Sequence, residues 1–420
     1  MPTLAVPQIT DEGTPAVLFR NAIDLNRYSN SVSRRIINEY NNIIVEAANQ
    51  LKILEGSDSY KAQRLRTIIA QVKESLATWA GDATEITASN LQGLAILQTE
   101  FIEEQLKKSL PKAARSIVRT VEVSPQFAQS VVTTDPTQLN LITLQQDLFK
   151  SVTGAPETYS LTAGQGAIIT LPDGRTVAKA FQGITTASAD LLAKEVRTGL
   201  LQGQTTDEIV RKLKGRLLFN QKGSVKQIAN AGGSLTAATN RQVTAIVRTS
   251  VNQVSNAASQ NVYKSNSDIT QKYRYVATLD SRTSAICASL DGQVFEYGDG
   301  PLPPQHFNCR STTVAVVDYE GLKKQGYDFE PPRVGKRSAS GGMVPSNMTY
   351  GQWLKDTPAG KAAQLDVFGS PSRVKYFNKI SKNGGPQAAL QKMIRDDGSE
   401  LTLSQLQRRY GKVYLLFGYA

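Results

Sequence analysis

The sequence is poor in histidine, cysteine and long apolar runs. Its 420 residues include one histidine and two cysteines, and 7% are aromatic. Two cysteines cannot build a disulfide framework, and one histidine narrows the options for general acid–base catalysis. No stretch approaches the roughly 18 uninterrupted apolar residues of a membrane span, and Met1–Thr10 lacks the pattern of a secretory signal. We therefore expect no membrane contact and assembly in a cytoplasm.

The chain is instead rich in positive charge, with a formal net charge of +12. A surplus of this size favours negatively charged partners such as nucleic acid or an acidic protein surface. A solvated basic surface is the simpler alternative. At roughly 100–200 residues per domain, the length predicts two to four domains.

The N-terminal part is predicted to be a bundle of long helices, residues 19–160, that follows an extended arm at 1–18. Apolar residues recur every three or four positions over 21–54, 60–79 and 88–110. This spacing places them on one stripe of each helix. Long helices joined by short polar turns indicate an antiparallel bundle. The stripe of the first helix either packs within the chain or partly faces another chain.

The rest of the chain is predicted to alternate helices with short strands, so the fold class is helix-dominated α+β. We assign a small mixed α/β domain to residues 161–318, with its core motif at 273–317, a linker to 319–345 and a small helical subdomain to 346–420. The elements predicted in the middle domain are a β-hairpin at 166–181, helices at 188–201, 205–213 and 237–264, a loop at 220–236, a turn of helix at 284–289, and strands at 273–278 and 311–317.

The residues with metal-binding side chains lie close together in the sequence. The single histidine, His306, falls between Cys287 and Cys309. Cysteine and histidine are preferred zinc ligands, and structural zinc sites usually have four ligands in a tetrahedron. Asp280, Asp291 or water could supply the fourth. Two free thiols in a small core and a Cys287–Cys309 disulfide are the alternatives, and cytoplasmic assembly argues against the disulfide.

The residues around this cluster form a specific series of short motifs. The series reads Asp280-Ser281-Arg282-Thr283, then Leu290-Asp291-Gly292, then Pro303-Pro304-Gln305-His306-Phe307-Asn308-Cys309-Arg310. It resembles the head morphogenesis domain of the Mu F-like and SPP1 gp7-like minor head proteins of tailed phages. The resemblance covers about residues 185–318 and extends weakly to 349–354 and 401–403. Ser284 and Ser311 stand where that family often has two further cysteines, which weakens a zinc site carried over from it.

The resemblance implies a minor structural protein of a bacteriophage head, located in the virion and associated with the portal or the inner capsid. Such a protein assists head assembly and DNA packaging or ejection. The partners it implies are the portal protein, the major capsid protein, other copies of the chain and packaged double-stranded DNA. We expect the motif residues to be structural and not catalytic; they are Asp280, Arg282, Thr283, Leu290, Asp291, Gly292, Pro304, Asn308 and Arg310.

Two other functions compete with this interpretation. The first is a capsid-carried, metal-dependent enzyme acting on nucleic acid, which needs ligands, an open metal position and a general base. The second is a protein whose main task is DNA binding, which steep salt dependence would reveal. No catalytic triad, phosphate-binding glycine loop or paired-carboxylate motif is present in the sequence. We therefore expect no enzyme activity and no cofactor other than zinc.

Overall fold

The structure of the chain is a computed structural model with a helix-dominated α+β fold and small antiparallel sheets, as predicted. None of the helices described contains a stretch long and apolar enough to cross a bilayer. The residues that the structure describes are 13–53, 61–123, 132, 149–151, 171–202, 204, 208, 217–219, 225–228, 235–327, 334–395 and 397–413.

The N-terminal region is built on two very long helices, α1 (Gly13–Ile53) and α2 (Lys61–Ser109). At 1.5 Å per residue they are about 60 and about 75 Å long. The predicted apolar stripe of α1 is largely buried, with Val32, Ile36 and Tyr40 at most 2% exposed. The predicted arm was wrong over 13–18, because the first helix already begins at Gly13; residues 1–12 lie outside the described part.

The prediction of two separate helices at 60–79 and 88–110 was wrong, because α2 runs through both. The interruption of the apolar spacing between residues 79 and 88 had indicated a short polar turn. In the structure Ala80 and Ala83 are buried in the core, and the hydroxyls of Thr84 and Thr87 donate to helix carbonyls four residues earlier. Packing on both sides of Gly81 outweighs the roughly 1 kcal/mol that a glycine costs a helix.

The predicted β-hairpin at 166–181 was wrong in its second half. A turn is present, since Gly174 has φ +79° and its N–H donates to the Leu171 carbonyl. It leads into helix α3 (Val177–Leu201), whose first turn is capped where the Thr176 hydroxyl accepts from the Lys179 N–H. Phe181 and other apolar residues spaced by three or four are buried along it. The first half of the predicted hairpin lies outside the described residues.

Short strand pairs accompany the helices. β1 (Val121–Val123) pairs antiparallel with β2 (Phe149–Ser151), and β3 (Leu217–Phe219) with β4 (Val225–Ile228). The second pair corrects the prediction of a loop over 220–236, because β4 lies within that range. The helix start predicted at 205–213 lies almost entirely outside the described residues.

Helix α4 (Leu235–Ser265) completes the helical core, close to its predicted bounds. Tyr40 links three helices, because its hydroxyl donates to Ser188 at 3.0 Å and accepts from Thr239 at 3.2 Å. Its ring meets Trp79 edge-on at 5.2 Å. Helix α4 also buries a polar seam within this core; its residues are Ser255, Asn256, Ser259, Gln260 and Asn261.

A three-stranded antiparallel sheet follows α4 and confirms the two predicted strands. Its order is β6-β5-β7, with Tyr273 in the central strand paired to Phe295 and Ala315. The sheet packs on α4, since the Gln260 amide donates to the Thr313 hydroxyl at 2.9 Å. The elements of this region are β5 (Thr270–Val276), helix α5 (Ala285–Leu290), β6 (Val294–Glu296) and β7 (Thr312–Val317).

The C-terminal part is a group of short helices around a second core that contains Trp353 and Phe377. Secondary structure also occurs at 319–345, where we predicted a linker, because a helix and a hairpin form there. The elements are α6 (Tyr319–Lys324), β8 (Lys336–Ala339), β9 (Gly342–Pro345), α7 (Tyr350–Asp356), α8 (Pro358–Phe368), α9 (Pro371–Ser381), α10 (Pro386–Lys392) and α11 (Leu403–Tyr410). The division into domains stays a prediction.

Candidate functional site

The motif residues meet in one loop region beside the end of β5. Thr283 closes the first turn, because its hydroxyl donates to the Thr278 carbonyl at 2.5 Å and lies 3.3 Å from Asp280 Oδ1. The Asp280 carboxylate accepts hydrogen bonds from both terminal guanidinium nitrogens of Arg310, at 2.5 and 2.8 Å. Two parallel charge-assisted bonds of this kind fix orientation as well as contributing energy.

Arg282 contributes less than Arg310 to this loop. Its backbone N–H donates to Asp280 Oδ1 at 3.0 Å. Its guanidinium lies 3.7 Å from Asp280, and its side chain is 80% exposed. Burial acts to raise the pKa of Asp280, but the hydrogen bonds and charge of Arg310 outweigh it, and the net shift is downward. Asp280 therefore stays ionised and holds Arg310 across the loop.

Replacing Asp280 by alanine should lower the free energy of unfolding by about 2 kcal/mol, whereas Arg282→Ala should change it by less than about 0.5 kcal/mol. Because the folded pKa lies below 3.8, the contribution is fully present above about pH 4 and is lost as the pH falls through the folded pKa. Urea titrations at pH 7 and pH 3 measure both effects. Equal losses in the two variants at pH 7 would contradict this assignment.

Asp291 and Gly292 anchor the other side of the loop. Asp291 is fully buried, where it accepts from the backbone N–H groups of Ala277 and Tyr350, both at 2.7 Å. Its carboxylate also pairs with the buried Arg337 at 3.1 Å. Gly292 adopts φ +81°, and a Cβ there would lie 2.8 Å from the Thr349 side chain. Leu290, just before them, ends helix α5 and packs against the small core around Tyr275.

The third motif brings His306 to the cluster through an unusual backbone. The Pro303–Pro304 peptide bond is cis, and Asn308 has φ +59°. The Asn308 N–H donates to the Thr249 hydroxyl on α4 at 3.0 Å. The loop is therefore held against the long helix, with Cys309 buried behind it.

Cys287, His306 and Cys309 come together in the structure, with their ligand atoms all within 4.8 Å of one another. The Sγ atom of Cys287 lies 3.3 Å from His306 Nε2 and 3.7 Å from Cys309 Sγ. Both cysteines are free thiols. Within the described residues, this is the group of three or more His, Cys, Asp or Glu side chains with metal-binding spacing.

The hydrogen bonds of the cluster select one histidine tautomer. His306 Nδ1 lies 2.8 Å from the Phe307 carbonyl. A carbonyl only accepts, so Nδ1 carries the proton and Nε2 presents its lone pair to Cys287 when the ring is neutral. The Ser284 hydroxyl, 2.8 Å from Nε2, completes this side. A histidine with its outer nitrogen bound to a carbonyl is the usual arrangement in metal sites.

The electrostatics of the cluster favour one thiolate. The pKa of the Cys287 thiol is lowered to about 4, mainly by its hydrogen bond with Cys309; burial opposes the shift, and His306 and two serine hydroxyls add to it. The same contact and burial raise the pKa of Cys309 well above its ordinary value. The hydrogen bond with Cys287 raises the pKa of His306. The thiolate, not the thiol, is the form that binds metal.

The three ligand atoms fit a zinc ion. Two sulfurs about 2.3 Å from a tetrahedral zinc lie about 3.8 Å apart, close to the 3.7 Å between Cys287 and Cys309. The expectation that Asp280 or Asp291 supplies a fourth ligand is not met, because Arg310 and Arg337 engage these carboxylates. The hydroxyl of Ser284 or a solvent molecule is left for the fourth position.

Residues 190–314 match the family model described as Phage Mu protein F like protein. The predicted family resemblance is confirmed. This Mu F-like segment, residues 190–314, contains the complete Cys287, His306 and Cys309 cluster. A protein of Haemophilus influenzae described as uncharacterized is 28% identical over 124 residues, which span 26% of this chain and 28% of that relative. No solved structure shows a significant match.

The Mu F-like segment depends on partners that the sequence analysis missed. Arg337, which neutralises Asp291, lies beyond the matched residues and within the predicted linker, 46 positions away in the chain. Tyr350, whose hydroxyl donates to the Asp280 carbonyl at 2.9 Å, is 70 positions away. No local pattern signals such contacts, although the capping box of Thr349 and Gln352 marks the start of the helix that presents Tyr350.

Proposed function

We propose that this chain is a minor structural protein of a tailed-phage head, associated with the portal or the inner capsid. It assists head assembly and the packaging or ejection of DNA. Its partners are the portal protein, the major capsid protein, further copies of the chain and packaged double-stranded DNA. The match of residues 190–314 to the Phage Mu protein F like family carries the proposal, because the family that this segment resembles acts in phage head morphogenesis.

The architecture supports a structural task. Helices of 41 and 49 residues extend beyond the size of a small domain and offer long surfaces to neighbouring subunits. The motif residues make backbone and ion-pair contacts inside the fold, as Asp280 with Arg310 and Asp291 with Arg337 illustrate. A net charge of +12 is suited to a particle filled with nucleic acid.

Quantitative mass spectrometry of purified virions tests the proposal. We expect the chain to be present at a copy number comparable to that of the portal protein and far below that of the major capsid protein. Comparing full heads with heads emptied of DNA then shows whether the protein stays in the head or leaves with the DNA. Retention in emptied heads indicates association with the portal or the inner capsid, and loss with the DNA indicates ejection. Absence from both virions and precursor heads would refute the proposal.

The proposal includes a structural zinc ion held by Cys287, His306 and Cys309. Zinc in such sites joins separate segments of chain and stabilises the fold directly. Here it would join helix α5, which carries Cys287, to the loop that carries His306 and Cys309. The distances and the single thiolate of the cluster support this assignment.

A capsid-carried, metal-dependent enzyme acting on nucleic acid is the second candidate. The same cluster favours it, since three protein ligands leave a fourth position for water, as in catalytic zinc sites. Metal-dependent cleavage of DNA that is abolished in His306→Ala would support the enzyme. The first candidate accounts for more of the site, because Asp280 and Asp291 are both engaged by arginines and neither is free to act as a general base.

A further inference from the structure

A small, partly open cleft lies where helices α1 and α4 meet the loop after His306. Its walls come from three separate parts of the chain. The polar residues that line it include Asn26 from α1, Arg248 and Asn252 from α4, and Asn308 and Arg310 from the loop. Cys309 of the proposed metal site also borders the cleft, but neither metal interpretation gives a role to Arg248 or to the asparagines.

Of the two arginines that line the cleft, Arg248 is the one whose charge no carboxylate in the described part of the chain neutralises. Its Nε and Nη2 atoms both donate to the Asn30 side-chain oxygen, at 3.0 and 2.8 Å. Asn30 is neutral, and among the described residues no carboxylate forms an ion pair with Arg248. The guanidinium is half-buried and fixed in place, with its remaining N–H groups available to a ligand.

Two further arginines stand near Arg248. The positive charges of Arg282 and Arg310 both act on it. Asp280 is the carboxylate that both of them contact, Arg310 at 2.5 Å and Arg282 at 3.7 Å. Two of the three guanidinium groups therefore share one carboxylate, and Arg248 contacts none within the described ranges. A bound anion would relieve the repulsion among them, and the fork geometry of arginine matches oxyanions well.

We infer that this cleft binds a phosphate group, with Arg248 as its principal donor and Arg282 and Arg310 as supporting charges. A phosphate has oxygens on several sides, whereas a carboxylate has two that one arginine fork can satisfy. Donors from three parts of the chain converge here, which suits the phosphate. The side-chain amides of Asn26 and Asn308 add to them, since neither side chain forms a hydrogen bond within the described part of the chain.

The phosphate comes either from free inorganic phosphate or from the backbone of DNA, and the two share one chemistry. The DNA source deepens the proposed function and rests on it. The phosphate site itself rests only on the geometry of Arg248 and its neighbours. Experiments with the two ligands therefore separate the site from the function.

Isothermal titration of the full-length chain with inorganic phosphate at low ionic strength tests the site. Arg248→Gln should weaken phosphate binding about tenfold, the loss of one charge-assisted hydrogen-bonding group. Arg241→Gln is the matched control, because Arg241 is an exposed arginine of the same helix, and it should bind phosphate as the wild type does. Arg282→Gln provides a variant in an exposed position that should fold normally and still weaken binding.

A short DNA duplex supplies the second arm, with fluorescence anisotropy measured over a range of salt concentrations. If the cleft holds a backbone phosphate, Arg248→Gln should reduce the slope of log affinity against log salt by about one, and Arg241→Gln should leave it unchanged. Phosphate binding that depends on Arg248 without this change in slope supports the site and removes DNA as its ligand.

Two results would overturn the inference. The first is phosphate affinity equal in wild type, Arg248→Gln and Arg282→Gln when all three melt as folded proteins. The second is tighter binding of acetate or an acidic peptide than of phosphate, which would make the cleft a docking point for a protein carboxylate. Neither result bears on whether the chain is present in virions, so the proposed function is tested independently.

Discussion

Asp291→Ala is expected to lower the free energy of unfolding by about 3–5 kcal/mol, because it leaves a buried arginine without its counter-charge. Asp291 is 0% exposed and Arg337 3% exposed. The same carboxylate accepts from the N–H groups of Ala277 and Tyr350. Removing it therefore leaves one buried charge and two buried donors unpaired.

The effect should be concentrated where the two segments meet. Arg337 also donates to the carbonyls of Ala277 and Met348, so the pair joins the end of β5 to the start of α7. Hydrogen exchange should consequently accelerate over residues 277–291 and 336–354 in the variant. Helix α1 packs on β8, the strand that carries Arg337, so its exchange should change at that contact. Helix α2 should exchange as in the wild type.

Urea denaturation, followed by tryptophan fluorescence, measures the loss of stability. Asp366→Ala is the matched control, since Asp366 is exposed on α8 and its replacement should stay within about 0.5 kcal/mol of wild type. Asp291→Asn keeps the side-chain shape and one acceptor oxygen, so its loss of stability should lie between those of Asp291→Ala and Asp366→Ala. If Asp291→Ala unfolds at the same urea concentration as Asp366→Ala, the buried pair does not stabilise the fold.

The second large effect concerns metal content. We expect the chain purified from zinc-containing medium to hold about one zinc ion per molecule, and Cys287→Ser or Cys309→Ser to bind it at least about a hundredfold more weakly. Each substitution removes one thiolate ligand and leaves two ligands, Nε2 of His306 among them. Elemental analysis by mass spectrometry gives the stoichiometry, and Ser281→Ala in the same loop is the control.

Alkylation by iodoacetamide provides an independent readout of the same site. Bound zinc should protect both cysteines, and a chelator should expose them and lower the melting temperature, because metal binding and folding are coupled. Cobalt can replace zinc and gives a sulfur-to-metal absorption band that Cys287→Ser should weaken. If zinc is absent and a chelator changes neither alkylation nor melting, the two residues are free thiols with a structural role.

The sequence was most informative where local chemistry dominates. The stripe through Val32, Ile36 and Tyr40 identified α1, and the alternation at 273–278 identified β5. The motifs around His306 led to the family resemblance and to the three residues that cluster in the structure. In each case the signal lies within a few positions, because periodicity and turn chemistry are local properties.

The sequence was least informative where distant packing decides the outcome. The interruption of the apolar spacing after residue 79 predicted a break that burial of Ala80 and Ala83 overrides. Thr176 looked like a strand residue although it caps α3. Arg337 seemed part of a linker although it is the buried partner of Asp291. Such outcomes depend on what another part of the chain places next to a residue, which no single window can show.

The polar seam of α4 fixes how far each helix can slide along its neighbours. Apolar side chains pack nearly as well one turn away, about 5.4 Å along the axis, but paired polar groups do not. Such a shift would separate the Gln98 amide from the Ser259 hydroxyl, now 3.4 Å apart, and Gln260 from Thr313. Asn256, Gln260 and Asn261 each keep a buried side-chain oxygen without a partner among the described residues, so the seam adds little stability. The seam instead fixes the axial position of each helix relative to its neighbours. The ends of these long helices therefore lie at defined distances from the core.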